Sequence, residues 1–221
     1  MKTIQGKQVL DTLDELVAAP HTAVVAIDVQ NDFCHPDGHF ARAGKTVAHM
    51  APAVQTMVSF VNAAQKRGVP IIFIRQLTLP NGHSDSPSWL RFKTRDGKSP
   101  EYTLPGTFGW EFVEGLTPGE NDTVVEKFRS DAFVGTCLDN VLKARGIQTL
   151  VMLGTTTEGC VESTVRAGSY HDYYVVVVGD AVASPNPRLH DNSLEFFKAR
   201  YPLHTADEVL RAIDATRTAS T

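Results

Sequence analysis

Four short, unbroken apolar runs punctuate the chain: TAVVAIDV at 22–29, VPIIFI at 69–74, TLVML at 149–153 and YYVVVV at 173–178. Continuous runs rich in valine and isoleucine are the pattern of strands buried on both faces. Such strands need helices above and below them, and the sequence between them has helical spacing. Helices are expected at 8–18, at 46–67 stopped by Gly68, at 136–145 stopped by Gly146, at 160–171, at 188–200 and from Asp207 onward. DTVVEK at 122–127 adds a strand, and Leu203 with His204 a short last one. This alternation predicts a three-layer α/β/α domain around a mostly parallel six-stranded sheet, with right-handed crossovers. A length of 221 residues suits one domain over 1–221.

The periodicity fails between residues 75 and 109, where Pro80, Pro87, Pro100, Pro105, Gly82, Gly97 and Gly106 interrupt the chain. An irregular stretch of this size inside a domain is usually a functional covering loop or a disordered insert. Trp89, Phe92, Tyr102 and Phe108 argue for a loop that packs.

Composition narrows the partners. Hydrophobic residues make up 42% and charged residues 21%, which excludes a disordered chain. The formal charge of −4 leaves no basic surplus for nucleic acid or an anionic membrane, so a small molecule is the expected partner. No run reaches the roughly 18 apolar residues of a membrane span, and the opening MKTIQGKQVLDTLDEL lacks the apolar core of a secretory signal. Cys34, Cys137 and Cys160 form neither a disulfide framework nor a CxxC knuckle, as expected of reduced thiols in a cytoplasmic protein.

Ligands in open parallel sheets bind beyond the carboxyl ends of the strands. Three reactive side chains fall there: Asp28 after the first run, Lys127 ending DTVVEK, and Cys160 after the TLVML strand. Near a helix start, Cys160 would be favoured as a thiolate by backbone N–H groups and the helix dipole, and those groups could also bind an oxyanion. The alternative is a buried structural thiol. Asp28 could accept and return a proton, or tie down a loop, and Asp32 could be the structural member instead. Lys127 could hold the carboxylate ionised, or snorkel at the sheet edge.

In these contexts a family pattern emerges. AIDVQNDF at 26–33, PDGHFARAG at 36–44, VEKFRSDAFVGTCLDNVLKARG at 125–146, GTTTEGCVESTVRAG at 154–168 and VVVVGDAVAS at 175–184 resemble the isochorismatase-like cysteine hydrolases. That superfamily includes nicotinamidases, N-carbamoylsarcosine amidase, biuret hydrolase and ureidoacrylate amidohydrolase. The resemblance implies a catalytic triad of Asp28, Lys127 and Cys160. It also implies a cis peptide at Thr155–Thr156 and an oxyanion hole from the N–H groups of Thr156 and Cys160. The implied chemistry is thiolate attack on an amide carbonyl, loss of an amine, and hydrolysis of a thioester. A homo-oligomer, dimer or tetramer, is implied as well.

One position departs from the pattern. The residue two before the nucleophile is often Asn or Asp in this superfamily and is Glu158 here. Glu158 could reach a substrate amine or only bind the loop. The nucleophilic cysteine argues against vinyl-ether hydrolysis. RQLTLPNGHSDS at 75–86 holds only His83, without the metal cluster of nicotinamidases, so no metal and no cofactor is expected. His35 and His39 are read as solvated loop residues.

GTFGWEF at 106–112 and VESTVR after the nucleophile look most like the ureidoacrylate, biuret and carbamoyl-amide branch. The expected activity is hydrolysis of a small linear amide, carbamoyl or ureido compound. Hydrolysis of a cyclic or aromatic amide, or a non-catalytic binding module on the same fold, are the alternatives. Substrate contacts are expected from Phe33, Phe40, Gln76, Trp89, Trp110, Phe133 and Glu158, with Arg75 a further candidate for a carboxylate or carbonyl group. Cys34 and Cys137 are expected to be spectators.

Overall fold

Six strands run in the order β5-β4-β3-β6-β7-β8, every neighbouring pair parallel, in a computed structural model that describes residues 1–95 and 99–218. They are β3 (Thr22–Ile27), β4 (Ile71–Gln76), β5 (Thr123–Lys127), β6 (Thr149–Thr155), β7 (Tyr174–Ala183) and β8 (Leu203–His204). A separate two-stranded hairpin, β1 (Lys2–Ile4) with β2 (Lys7–Val9), precedes them.

The period-2 geometry of the buried strands sorts the core into two layers. Val24 and Ala26 of β3 point into a cluster with Met57, Phe60, Val61 and Ala64 of α4 (Ala51–Lys66), and with Val209, Ala212 and Ile213 of α9 (Ala206–Thr218). Ala23, Val25 and Ile27 point the other way. They join Leu138 and Leu142 of α6 (Leu138–Ala144), Val165 of α7 (Glu162–Tyr170) and Phe197 of α8 (Pro187–Arg200). The sheet is therefore sandwiched between two helical layers. Burying a side chain such as Phe60 or Phe197 contributes about 1.5–3 kcal/mol.

From β3 the chain builds outward through β4 to β5, then crosses back to place β6 on the other side of β3. The direction of building reverses between β3 and β6, so their carboxyl ends open a crevice. Gly154 lets the two strands meet there. Its φ is +129°, and a Cβ at this position would lie 2.0 Å from the Ile27 carbonyl oxygen.

Several elements differ from the sequence expectation. Residues 8–18 are not one helix. Gln5 (φ +48°) and Gly6 (φ +77°) make a two-residue turn that pairs Ile4 with Lys7, and only α1 (Leu13–Leu16) is helical. A capping box between Thr12 and Glu15 starts that single turn. Strand β4 runs through Arg75 and Gln76, which therefore lie in the sheet and not past it. Within the covering segment, Ser86 caps a short helix α5 (Pro87–Lys93) by accepting from the Trp89 N–H. Gly97 of that segment lies outside the described residues. Two further short helices, α2 (Asn31–Cys34) and α3 (His39–Arg42), follow β3. Among the described residues no helix is long and apolar enough to cross a membrane.

Candidate active site

Asp28 is the first residue beyond β3. Its backbone takes the left-handed region (φ +50°), which Asp tolerates better than most side chains. The turn is pinned from both sides: the Asp28 N–H donates to the Ile74 carbonyl at 3.0 Å, and its own carbonyl accepts the Thr155 hydroxyl at 2.8 Å. The carboxylate that results is fully buried.

Lys127 closes β5 two strands away and is also fully buried. Its ammonium lies 2.7 Å from Asp28 Oδ2 and donates to Gln76 Oε1 at 2.7 Å and to the Arg129 carbonyl at 2.9 Å. Cys160 Sγ is 3.4 Å from the same Nζ. One cation thus bridges a carboxylate and a sulfur brought from three strands. A lysine that deep is tolerated because acceptors surround it.

Cys160 sits in a single π-helical turn (Thr157–Val161) between β6 and α7. The Thr155–Thr156 peptide ahead of it is cis. The Thr156 carbonyl accepts from the Gly159 and Val161 N–H groups, which folds the turn back under the sulfur.

The charges set one another's protonation. Burial pushes the Asp28 carboxyl above the usual carboxylate range, partly offset by Lys127. Burial works against the Lys127 charge, yet Asp28 and Cys160 outweigh it and hold its pKa above the ordinary lysine value. Burial pushes the Cys160 thiol up to about 12, Lys127 opposing the rise and Asp28 adding to it. Desolvation and the adjacent carboxylate thus favour the thiol, against the pull of Lys127 toward the thiolate.

Above these groups lies a cavity of about 430 Å³. Asp28, Gln76, Thr155, Thr156, Glu158 and Cys160 form its floor, and Phe33, Phe40, Trp89, Phe92 and Tyr102 its aromatic wall. Lys45, Lys93 and Arg95 also line it. Lys93 is neutralised by Asp85 at 2.9 Å. Tyr102 was not singled out as a ligand contact from sequence. Its ring packs on Phe33 and His39, and burial, with the Asp28 charge adding to it, keeps its phenol protonated.

Other expected contacts are placed elsewhere. Trp110 is absent from the cavity wall: the Arg75 guanidinium lies 3.8 Å from its ring, and Arg75 also covers Phe112. Arg75 is thereby used in packing and does not face the cavity. Phe133 belongs to the core layer under α6 and α7, stacked on His171 at 4.6 Å. Position along the chain did not reveal which sheet face these rings served. His39 lies on α3 and lines the cavity, so it is not a solvated loop residue; His35, just past α2, packs one face on Phe108 and leaves 42% of its side chain exposed. Cys34 is half-buried outside the cavity wall and Cys137 is exposed. Among the described residues no group of His, Cys, Asp or Glu side chains is arranged to hold a metal ion.

Asp32 ties the covering segment down. Its carboxylate accepts the Thr103 N–H at 2.6 Å and the His39 N–H at 2.9 Å, and Arg42 approaches at 3.3 Å. Gly109 lies against it so closely that a Cβ there would sit 2.1 Å from the carboxyl carbon. Asp32→Asn puts an amide N–H against one of these donors. It is expected to cost about 1–3 kcal/mol in chemical denaturation and to raise the hydrogen-exchange rates of the Thr103 and His39 amides.

Known proteins resemble this chain in sequence and fold. The isochorismatase domain family matches residues 22–208. The ureidoacrylate amidohydrolase RutB of Methylobacterium radiotolerans is 34% identical over 184 residues, covering 78% of this chain and 71% of that protein. A cysteine hydrolase from Pseudomonas syringae pv. phaseolicola 1448A superposes with a TM-score of 0.78 at 26% identity, over 95% of this chain and 97% of that one. N-carbamoylsarcosine amidase from Thermoplasma acidophilum gives a TM-score of 0.67 at 26% identity, over 84% of this chain and 96% of that one. With all six strands of its parallel sheet inside the matched domain, the chain belongs to the isochorismatase-like cysteine hydrolase superfamily, close to its ureidoacrylate amidohydrolase branch.

Proposed function

We propose that this chain is a cysteine-dependent amidohydrolase that cleaves a C–N bond in a small linear amide, carbamoyl or ureido compound. The observation that carries the reading is the single Lys127 ammonium, 2.7 Å from Asp28 and 3.4 Å from Cys160, at the floor of a cavity sized for a small molecule.

In this reading Asp28 takes the Cys160 proton as the sulfur attacks the carbonyl carbon. The negative charge moves to the carbonyl oxygen, where the backbone N–H groups of Thr156 and Cys160 receive it. The proton on Asp28 passes to the leaving nitrogen, the C–N bond breaks, and an amine departs from a thioester. Asp28 then deprotonates a water that attacks the thioester, and the proton returns to the sulfur. Lys127 keeps Asp28 anionic between steps. Gln76, accepting from Lys127, holds the ammonium in place.

The aromatic wall favours a second reading in which a flat aromatic amide is the substrate. A panel of ureides, carbamoyl amino acids, linear amides and aromatic carboxamides, assayed for ammonia or amine release, tests both. Mass spectrometry of acid-quenched turnover mixtures is expected to find an acyl adduct on Cys160. An adduct confined to Cys34 or Cys137 rejects the assignment, and release from aromatic carboxamides alone favours the second reading.

A further inference from the structure

Tyr102 brings a hydroxyl to the aromatic wall of the cavity, and the chemistry above gives it no task. The backbone beside it is pinned. Thr103 is fully buried and takes φ +52°, an uncommon conformation for a β-branched residue. Its N–H donates to Asp32 Oδ2 at 2.6 Å, its hydroxyl donates to the Tyr102 carbonyl at 2.8 Å, and its own carbonyl accepts the Thr78 N–H at 3.3 Å. The ring is boxed in as well. Phe33 lies 5.9 Å from it and His39 5.0 Å, centroid to centroid, and Lys93 Nζ lies 4.6 Å from its centroid. Lys93 is itself fixed by Asp85 at 2.9 Å and by the Thr78 hydroxyl at 3.3 Å.

The phenol oxygen is open by contrast. It makes no hydrogen bond among the described residues, and a water-sized group still reaches it. Cys160 and Asp28 act on the phenol through space more strongly than Asp85 or Arg129, so its oxygen lies toward the cavity floor. Burial raises its pKa above the ordinary tyrosine value, and it remains an O–H donor at neutral pH. A donor held this firmly in a wall of carbon has its partner in a ligand. In the mechanism above the acyl oxygen goes to the N–H groups of Thr156 and Cys160, and the leaving nitrogen faces Asp28. What remains for Tyr102 is an oxygen beyond the reacting C–N group, and a cavity of about 430 Å³ leaves room for one.

We infer that Tyr102 is a specificity-determining residue: its O–H donates to a second oxygen of the substrate, a carboxylate or amide oxygen set beyond the reacting carbonyl. This rests on the amidohydrolase reading above and narrows its substrate class to compounds that carry such an oxygen.

The test compares ureas of similar length in an ammonia-release assay: N-carbamoylglycine with a carboxylate, N-carbamoylglycinamide with an amide oxygen, and N-propylurea with neither. Wild type is expected to favour the better of the first two over N-propylurea by at least about tenfold in kcat/KM, because a site built to hydrogen-bond a polar group rejects the analogue lacking it. Tyr102→Phe keeps the ring and its packing and removes only the hydroxyl. It is expected to bring that preference below about threefold while changing N-propylurea turnover by less than about twofold. A loss on both oxygen-bearing ureas supports the inference with either kind of oxygen as acceptor, and a loss on N-carbamoylglycine alone supports it with a carboxylate. A fall shared equally by all the substrates assigns Tyr102 to holding the wall and overturns the inference alone. A wild type without the preference, or a preference that survives in Tyr102→Phe, also overturns it alone. No turnover of any of these ureas by the wild type overturns the amidohydrolase reading, and the inference with it.

Discussion

Cys160→Ser is expected to lower kcat by at least about 10⁴-fold on any accepted amide, with no acyl adduct detectable by mass spectrometry. Serine is close in shape, so the fold should persist and thermal denaturation should shift little. The loss comes from the nucleophile. An alcohol beside a carboxylate gives up its proton far less readily than a thiol. The electrostatics add a further expectation. Burial pushes the thiol up to about 12, so the free enzyme is expected to hold its sulfur protonated near neutral pH. Alkylation of Cys160 by iodoacetamide should therefore be slow at neutral pH and rise as the solution is made alkaline. The acid limb of kcat/KM belongs to Asp28, because only the carboxylate can take the thiol proton. Burial raises the Asp28 pKa, so activity should rise with pH through a midpoint above the ordinary aspartate value. A rapidly alkylated thiolate at neutral pH would contradict this account.

Lys127→Met is expected to be the more damaging change to the protein as a whole. The side chain is fully buried, and its ammonium is the charged partner of an equally buried carboxylate at 2.7 Å. Removing one member of such a pair leaves the other uncompensated, at a cost of about 3–5 kcal/mol. Asp28 is then expected to protonate, which removes the acceptor for the thiol proton and abolishes turnover. Chemical denaturation measures the first effect and the amide assay the second. Pairing the change with Asp28→Asn separates the contributions: the double variant should recover much of the stability and none of the activity. Recovery of activity in the double variant would show that the carboxylate is not the proton acceptor.

The layered fold was legible because burial imposes a readable pattern. Val24, Val25, Ala26 and Ile27 are apolar without alternation because both faces of β3 are covered. Placing Asp28, Lys127 and Cys160 at one edge needed only parallel strands, since each residue ends or follows one. The hairpin before α1 was misread because Val9, Leu10 and Leu13 fit helical spacing, while the Gln5–Gly6 turn that overrides it is a local signal of two residues. Trp110 and Phe133 were misplaced for a different reason. An aromatic ring in a loop next to the site turns inward or outward according to contacts with distant residues, here Arg75 and His171.

Linear order by itself determined which residues end on the ligand-binding edge of the sheet, because strand direction and crossover handedness follow from backbone sterics that local pattern already encodes. Tertiary structure alone decided the electrostatics of the site and its hydrogen-bond partners. The thiol of Cys160 is pushed up by burial under the assembled site and, beyond that, by a carboxylate 132 positions earlier in the chain. Glu158 accepts the Ser184 hydroxyl because the end of β7 lies beside the turn that carries the sulfur. Desolvation and Coulomb interactions act through space at a few ångströms, and distances that short between remote segments exist only after the sheet has assembled.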